Sequence, residues 1–160
     1  MKFAFFIQNF STKKTLTTVL ENLKLPLRFE SLFQHKKLDS CNLKESISRN
    51  IHLLITTTLG ENKQDYNYGC QLWDHDYDIH LSDDNRREIV ITSLRRQLSL
   101  YEKRLAKVAI NVKVKQMETR INSGVQLRRR IEIVITGILR RSNDPFLFQT
   151  GFFIGPMSFD

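Results

Sequence analysis

A chain of 160 residues suits one domain and is too short to divide comfortably. Its 41% hydrophobic and 26% charged residues are ordinary for a soluble globular protein, and no apolar run approaches the roughly 20 residues of a membrane-spanning helix. A net charge of +8 at pH 7 points to phosphate or to an acidic protein surface as partner.

The start, MKFAFFIQNF, breaks at Gln8 and Asn9 and lacks a small-residue cleavage site, so it reads poorly as a secretion signal. Cys41 and Cys70 have neither the number nor the spacing of a disulfide framework or a metal site. A reducing cytoplasm is therefore the expected compartment. Leu16, Val19, Leu20 and Leu23 predict a short helix opened by Ser11 and ended by Pro26. Residues 1–42 are too hydrophobic for a solvated tail and read as an extension that packs on the domain or docks on a partner.

A clear helix is expected from Leu43 to Leu59. Asn42 and Glu45 have capping-box spacing, and Gly60 is placed to supply a left-handed stop. Leu43, Ile47, Ile51, Leu54, Ile55 and Leu59 form its apolar stripe. A polar and aromatic loop of about twenty residues follows, long enough to suggest function or a bound partner. Within it Asp74, Asp76 and Asp78 neighbour His75 and His80, but the spacing is that of a solvated turn and no metal is expected.

A second helix opens at Ser82, with Ile91, Leu94, Leu98 and Tyr101 toward the core and Arg86, Arg87, Arg95 and Arg96 on a basic outer face. The period then changes. Val108, Ile110, Val112 and Val114 alternate with polar residues as a half-buried strand, and Asn122 to Gly124 signal a turn. The next strand places Leu127, Ile131, Ile133, Ile135 and Leu139 inward, with Arg128, Arg130, Glu132 and Thr136 outward. Residues 140–160 carry Phe146, Phe148, Phe152 and Ile154 on one side and form either a third strand or an interface arm. The fold class is α+β in two layers, helices packed on a small antiparallel sheet, with the core domain at 43–139. Such a sheet has exposed edges; outward Arg128 and Arg130 would guard them and select an acidic partner strand by β-augmentation.

The order SISRNIHLLITTTLGE, YGC and YEKRLAKVAINVKV resembles the TssE family, the baseplate wedge proteins of phage tails and type VI secretion. Ser46, Ile47, Asn50, Ile51, Leu54, Thr56, Gly60 and Glu61 match its first helix and the T-x-x-G-E end, and Gly69 matches the glycine that follows. Glu102 and Arg104 match the outer members of a Glu-Pro-Arg signature in which Lys103 replaces the proline. The likeness covers about positions 44–139. It implies a structural role without cofactor, small-molecule substrate or membrane insertion. It also implies wedge partners like TssF and TssG, and sheath partners like TssB and TssC. Glu102, Lys103 and Arg104 would then fix the angle at which the sheet is presented, binding each other or neighbouring chains. Since Glu102 and Arg104 lie outside the apolar stripes, their joint replacement is expected to spare the fold.

Two rival classes remain. The arginine doublets could bind nucleic acid, though no Gly-rich phosphate loop, zinc spacing or aromatic-studded basic strand accompanies them. A lysozyme-like glycosidase would need two facing carboxylates. Glu61 and Glu102 are the candidates, but Glu102 stands beside two cations, the wrong surroundings for a general acid.

Overall fold

The computed structural model describes residues 22–35, 38–76, 78, 80–121 and 124–154. Near the start of the described chain, β1 (Asn22–Leu23) pairs with β2 (Ser40–Cys41) around a short helix, α1 (Phe29–His35). Most of the expected helix at 11–23 lies outside the described residues, while its end, Asn22–Leu23, is strand. The Arg49 guanidinium donates to Leu25 O and holds this segment to the next helix. Phe29 and Phe33 stay exposed.

Helix α2 (Leu43–Thr56) begins where predicted, with Asn42 Oδ1 accepting from Glu45 N at 2.8 Å. Only half of a capping box forms, because the Glu45 carboxylate turns to Arg49 one turn on, at 2.9 Å. The helix stops three residues before Leu59. Thr57 is extended, and its carbonyl accepts from Cys70 N at 2.8 Å in a parallel bridge that draws the chain out of the helix. Gly60, at φ +79°, serves the turn that follows rather than the helix end.

Helix α3 (Asp83–Tyr101) is capped by Ser82, whose Oγ accepts from Asn85 N at 3.2 Å. After it, β3 (Leu105–Ile121), β4 (Gly124–Leu139) and β5 (Pro145–Ile154) form an antiparallel sheet in the order β3-β4-β5. The fold is the expected α+β arrangement. The C-terminal aromatic run is its third strand, with Phe146 and Ile154 buried, Phe148 and Phe152 packed on the core and Phe153 exposed.

The register departs from simple alternation in one place. Ala106 faces Ile138 and Ala109 faces Thr136, so Lys107 and Val108 together oppose Gly137 in a β-bulge. Leu105 and Ile110, five positions apart, thereby both face the helices. Val108, expected inward, is 37% exposed. On β4, Ile131, Ile133, Ile135 and Leu139 are buried against Ile47, Ile51, Leu54, Val90 and Leu94. Each such side chain contributes about 1.5–3 kcal/mol of burial. The expected inward side chain of Leu127 and outward side chain of Arg128 lie outside what is described; Arg128 holds the register position opposite Met117. Among the described residues no helix is long and apolar enough to cross a membrane.

One helix face corrects the sequence reading. Arg86, placed there on the basic outer face of α3, is 2% exposed. Its Nη1 and Nη2 donate to the carbonyls of His75 and Asp78 at 2.6 and 2.8 Å. Ser93 and Gln97 are buried further along the same helix face. The inner face of α3 is thus half polar, and every polar group on it reaches into the loop between α2 and α3.

Candidate functional site

The chain turns from α3 into β3 at Glu102, Lys103 and Arg104. Glu102 closes the helix, its N–H donating to Leu98 O at 3.0 Å, with φ −122° and ψ 68°. Its side chain points inward and is 1% exposed. Both carboxylate oxygens are engaged by Arg104, with Nε donating to Oε1 at 2.8 Å and Nη2 to Oε2 at 2.6 Å. This fork-to-fork geometry is the strongest arrangement open to the pair.

Helix α2 completes the corner. Asn50 Nδ2 donates to Glu102 Oε2 at 2.9 Å, and Arg104 Nη1 donates to Ser46 Oγ at 2.9 Å. Ser46 and Asn50 lie one turn apart, beside the Ile47 and Ile51 stripe. The far end of β4 joins too, since Arg140 N donates to Arg104 O at 2.9 Å. The triplet therefore ties α2, α3, β3 and the end of β4 at one point. The Glu102 carboxylate raises the Arg104 guanidinium further above its ordinary value, with partial burial opposing. Lys103 occupies the middle of the turn and is exposed.

Of the residues expected to meet partners, then, Lys103 faces solvent, Arg104 is about one-third exposed and Glu102 is spent on internal bonds. Two small polar residues one turn apart, flanking an apolar stripe, were the sequence signal for the anchoring role of Ser46 and Asn50.

Gly60, Glu61 and Gly69 form a second cluster at the end of α2. Glu61 Oε2 accepts from Thr58 N at 2.9 Å and closes the turn on itself. Gly69 has φ +127°, and a Cβ there would lie 2.7 Å from the carbonyl oxygens of both Thr57 and Thr58. Only glycine fits. The loop beyond is strapped down: Gln97 Nε2 donates to Asn67 O at 2.8 Å, Trp73 Nε1 to Ile55 O at 2.7 Å, and Tyr101 OH to Asp65 Oδ2 at 2.6 Å. The Trp73 bond satisfies one of the carbonyls left open by the end of α2. The long loop is a wall of the domain. Burial pushes the Cys70 thiol up, away from reactive thiolate character. Among the described residues no group of three or more His, Cys, Asp or Glu side chains could hold a metal ion.

On the outer face of the sheet Arg130 lies over the Phe153 ring, 5.7 Å from its centroid. Glu132 accepts from Lys115 across the β3–β4 pair at 2.8 Å, a bond that holds its carboxyl below the ordinary value. Arg129, on the opposite face, reaches Asp83 at the start of α3 at 3.5 Å.

The two carboxylates that a glycosidase would need are not paired across a cleft. Glu61 is occupied by its own turn, Glu102 is buried, and the groove beside Glu102 does not include Glu61.

Residues 41–144 match a protein family described as baseplate wedge protein gp25. No curated protein matches the sequence. Among solved structures, the chain is similar to a Geobacter sulfurreducens protein described as a tail lysozyme. The two share 19% identity over 74% of this chain and 96% of that one, with a TM-score of 0.50. At that identity the likeness concerns the fold.

Proposed function

Because the chain belongs to the baseplate wedge protein gp25 family, and so is a structural part of a contractile-tail baseplate, we propose that it templates the first sheath ring by strand exchange. In this reading the corner at Glu102–Arg104 sets the sheet's angle on the wedge. Sheath subunits like TssB and TssC then pair with its edges, while wedge subunits like TssF and TssG hold the body. The machine is a type VI secretion system or a phage-like tail.

One observation carries the reading. The sheet ends in β3 on one side and β5 on the other, and β5 pairs with β4 only from Arg129 to Ile138. The β3–β4 hairpin continues past that point to the Ile121–Gly124 pair without a third strand among the described residues. Among the described residues the ladder is left open along both edges, a ready template for added strands.

The test is reconstitution with the sheath subunits of the native host. Sheath assembly nucleated by the intact protein, and weakened by Arg128→Glu with Arg130→Glu on the central strand, supports templating in which the basic positions of β4 take part. Wedge assembly without any sheath recruitment would overturn it. Salt-dependent binding of duplex DNA in place of sheath would favour the nucleic-acid alternative, and cleavage of peptidoglycan the glycosidase.

A further inference from the structure

A groove of about 280 Å³ opens beside the corner, between the last turns of α3 and the bulged start of β3. Arg95, Lys103, Lys107 and Arg140 line it. Among the described residues none of these four cations is in an ion pair. The acid that lines the groove, Glu102, is already engaged by Arg104 and Asn50. Four like charges around one small opening repel one another, and an anion seated among them relieves that cost.

The bulge adds a second observation. Lys107 has φ +49°, a left-handed conformation that glycine or asparagine holds with less strain. A lysine kept there lines the groove at the expense of local stability, and bulges commonly re-aim side chains at binding sites. Arg140 is fixed at the same mouth, its Nε donating to Leu105 O at 3.0 Å.

The occupant can be narrowed by the rest of the lining. Leu98 and Val108 give the groove an apolar floor, and none of its lining residues is aromatic. A nucleic-acid site would present rings for base stacking or a long basic track. The volume suits one or two side chains.

We propose that this groove docks an acidic segment of a partner protein. Its carboxylates sit among Lys103, Lys107 and Arg140, and a neighbouring apolar side chain rests on Leu98 and Val108. This recognition is by side chains and stands whether or not the sheet edges exchange strands with sheath.

Fluorescence anisotropy of the full chain tests it, using a short labelled peptide that alternates leucine with glutamate. The glutamate peptide binds, and its glutamine counterpart binds at least about tenfold more weakly. Lys103→Gln with Arg140→Gln weakens binding by a similar factor, whereas Arg96→Gln, an exposed cation outside the groove, does not. Lys107→Gly separates fold from function: it relieves the left-handed backbone, so the melting temperature holds or rises while peptide affinity falls. Equal binding of the glutamine peptide, an equal loss in Arg96→Gln, or binding of a short DNA duplex in place of peptide would overturn the proposal. So would the absence of any peptide binding.

Discussion

Asn50, midway along α2, donates to the carboxylate of Glu102, the residue that ends α3, at 2.9 Å. That bond joins residues 52 positions apart in sequence and fixes the helix pair relative to the root of the sheet. Without Glu102, Asn50 keeps only a longer contact to Tyr101 O at 3.4 Å, and Arg104 keeps Ser46 Oγ alone among its side-chain acceptors.

Glu102→Ala is accordingly expected to destabilise the domain by about 2–4 kcal/mol, the usual cost of stripping one partner from a buried charged network. Arg104→Ala should cost less, since its guanidinium is partly solvated. The double replacement should cost less than the sum of the two. Chemical denaturation of the three variants measures all of these. Losses within about 0.5 kcal/mol for Glu102→Ala would return the corner to an ordinary surface pair.

Gly69 and Gly60 both have positive φ, but their surroundings differ. Gly69→Ala drives a Cβ into two backbone carbonyls, while Gly60→Ala meets nothing within 4 Å. The first should cost about 3 kcal/mol or more and loosen the loop, the second about 1–2 kcal/mol from the backbone alone. Melting curves of the two alanine variants rank them, and equal losses would remove the packing argument.

Truncation at Asp144 should abolish cooperative folding. Phe146 and Ile154 are 3% and 5% exposed, and Phe152 packs edge-on against Trp73, 5.6 Å between centroids. Removing β5 takes away one wall of the core and exposes the ladder of β4. A soluble, cooperatively melting truncation would show the strand to be an appendage.

Lys115 holds the Glu132 carboxyl below its ordinary value. A carboxylate depressed in the folded state contributes stability above its unfolded pKa, and that contribution disappears as pH falls through the folded value. The Lys115–Glu132 contribution should therefore vanish on acidification below the ordinary carboxylate range. An NMR titration should place Glu132 below a free glutamate, and Lys115→Gln should move it back up. No movement would mean that the ion pair is not held in solution.

The elements set by apolar spacing were legible: the start of α2, the buried isoleucines of β4, and the phenylalanines of β5 all follow from periods of 3.6 and 2. What escaped that reading was polar and internal. Arg86, Ser93 and Gln97 look like solvent-facing positions on a helix, and nothing in their spacing announces that loop carbonyls wait opposite them. Glu102 escaped for the same reason, because its burial depends on Asn50 and Ser46 in another helix. The bulge escaped too, since β3 itself carries no glycine at the shift and the one that marks it, Gly137, lies on the facing strand. Polar burial is decided by long-range partners, which a single chain read in order does not display.

The β3–β4 ladder runs from Leu105–Leu139 to Ile121–Gly124, and its root is bolted to both helices through the corner. Such a geometry has a mechanical direction. A pull along the strands shears many cross-strand hydrogen bonds at once, whereas a pull across the hairpin tip peels them one pair at a time. Traction applied parallel to β4 would meet a stiff body whose weakest points are elsewhere, and traction applied sideways at the tip would open it like a zipper. A contracting tube attached along the edges of this sheet would load it in its strong direction.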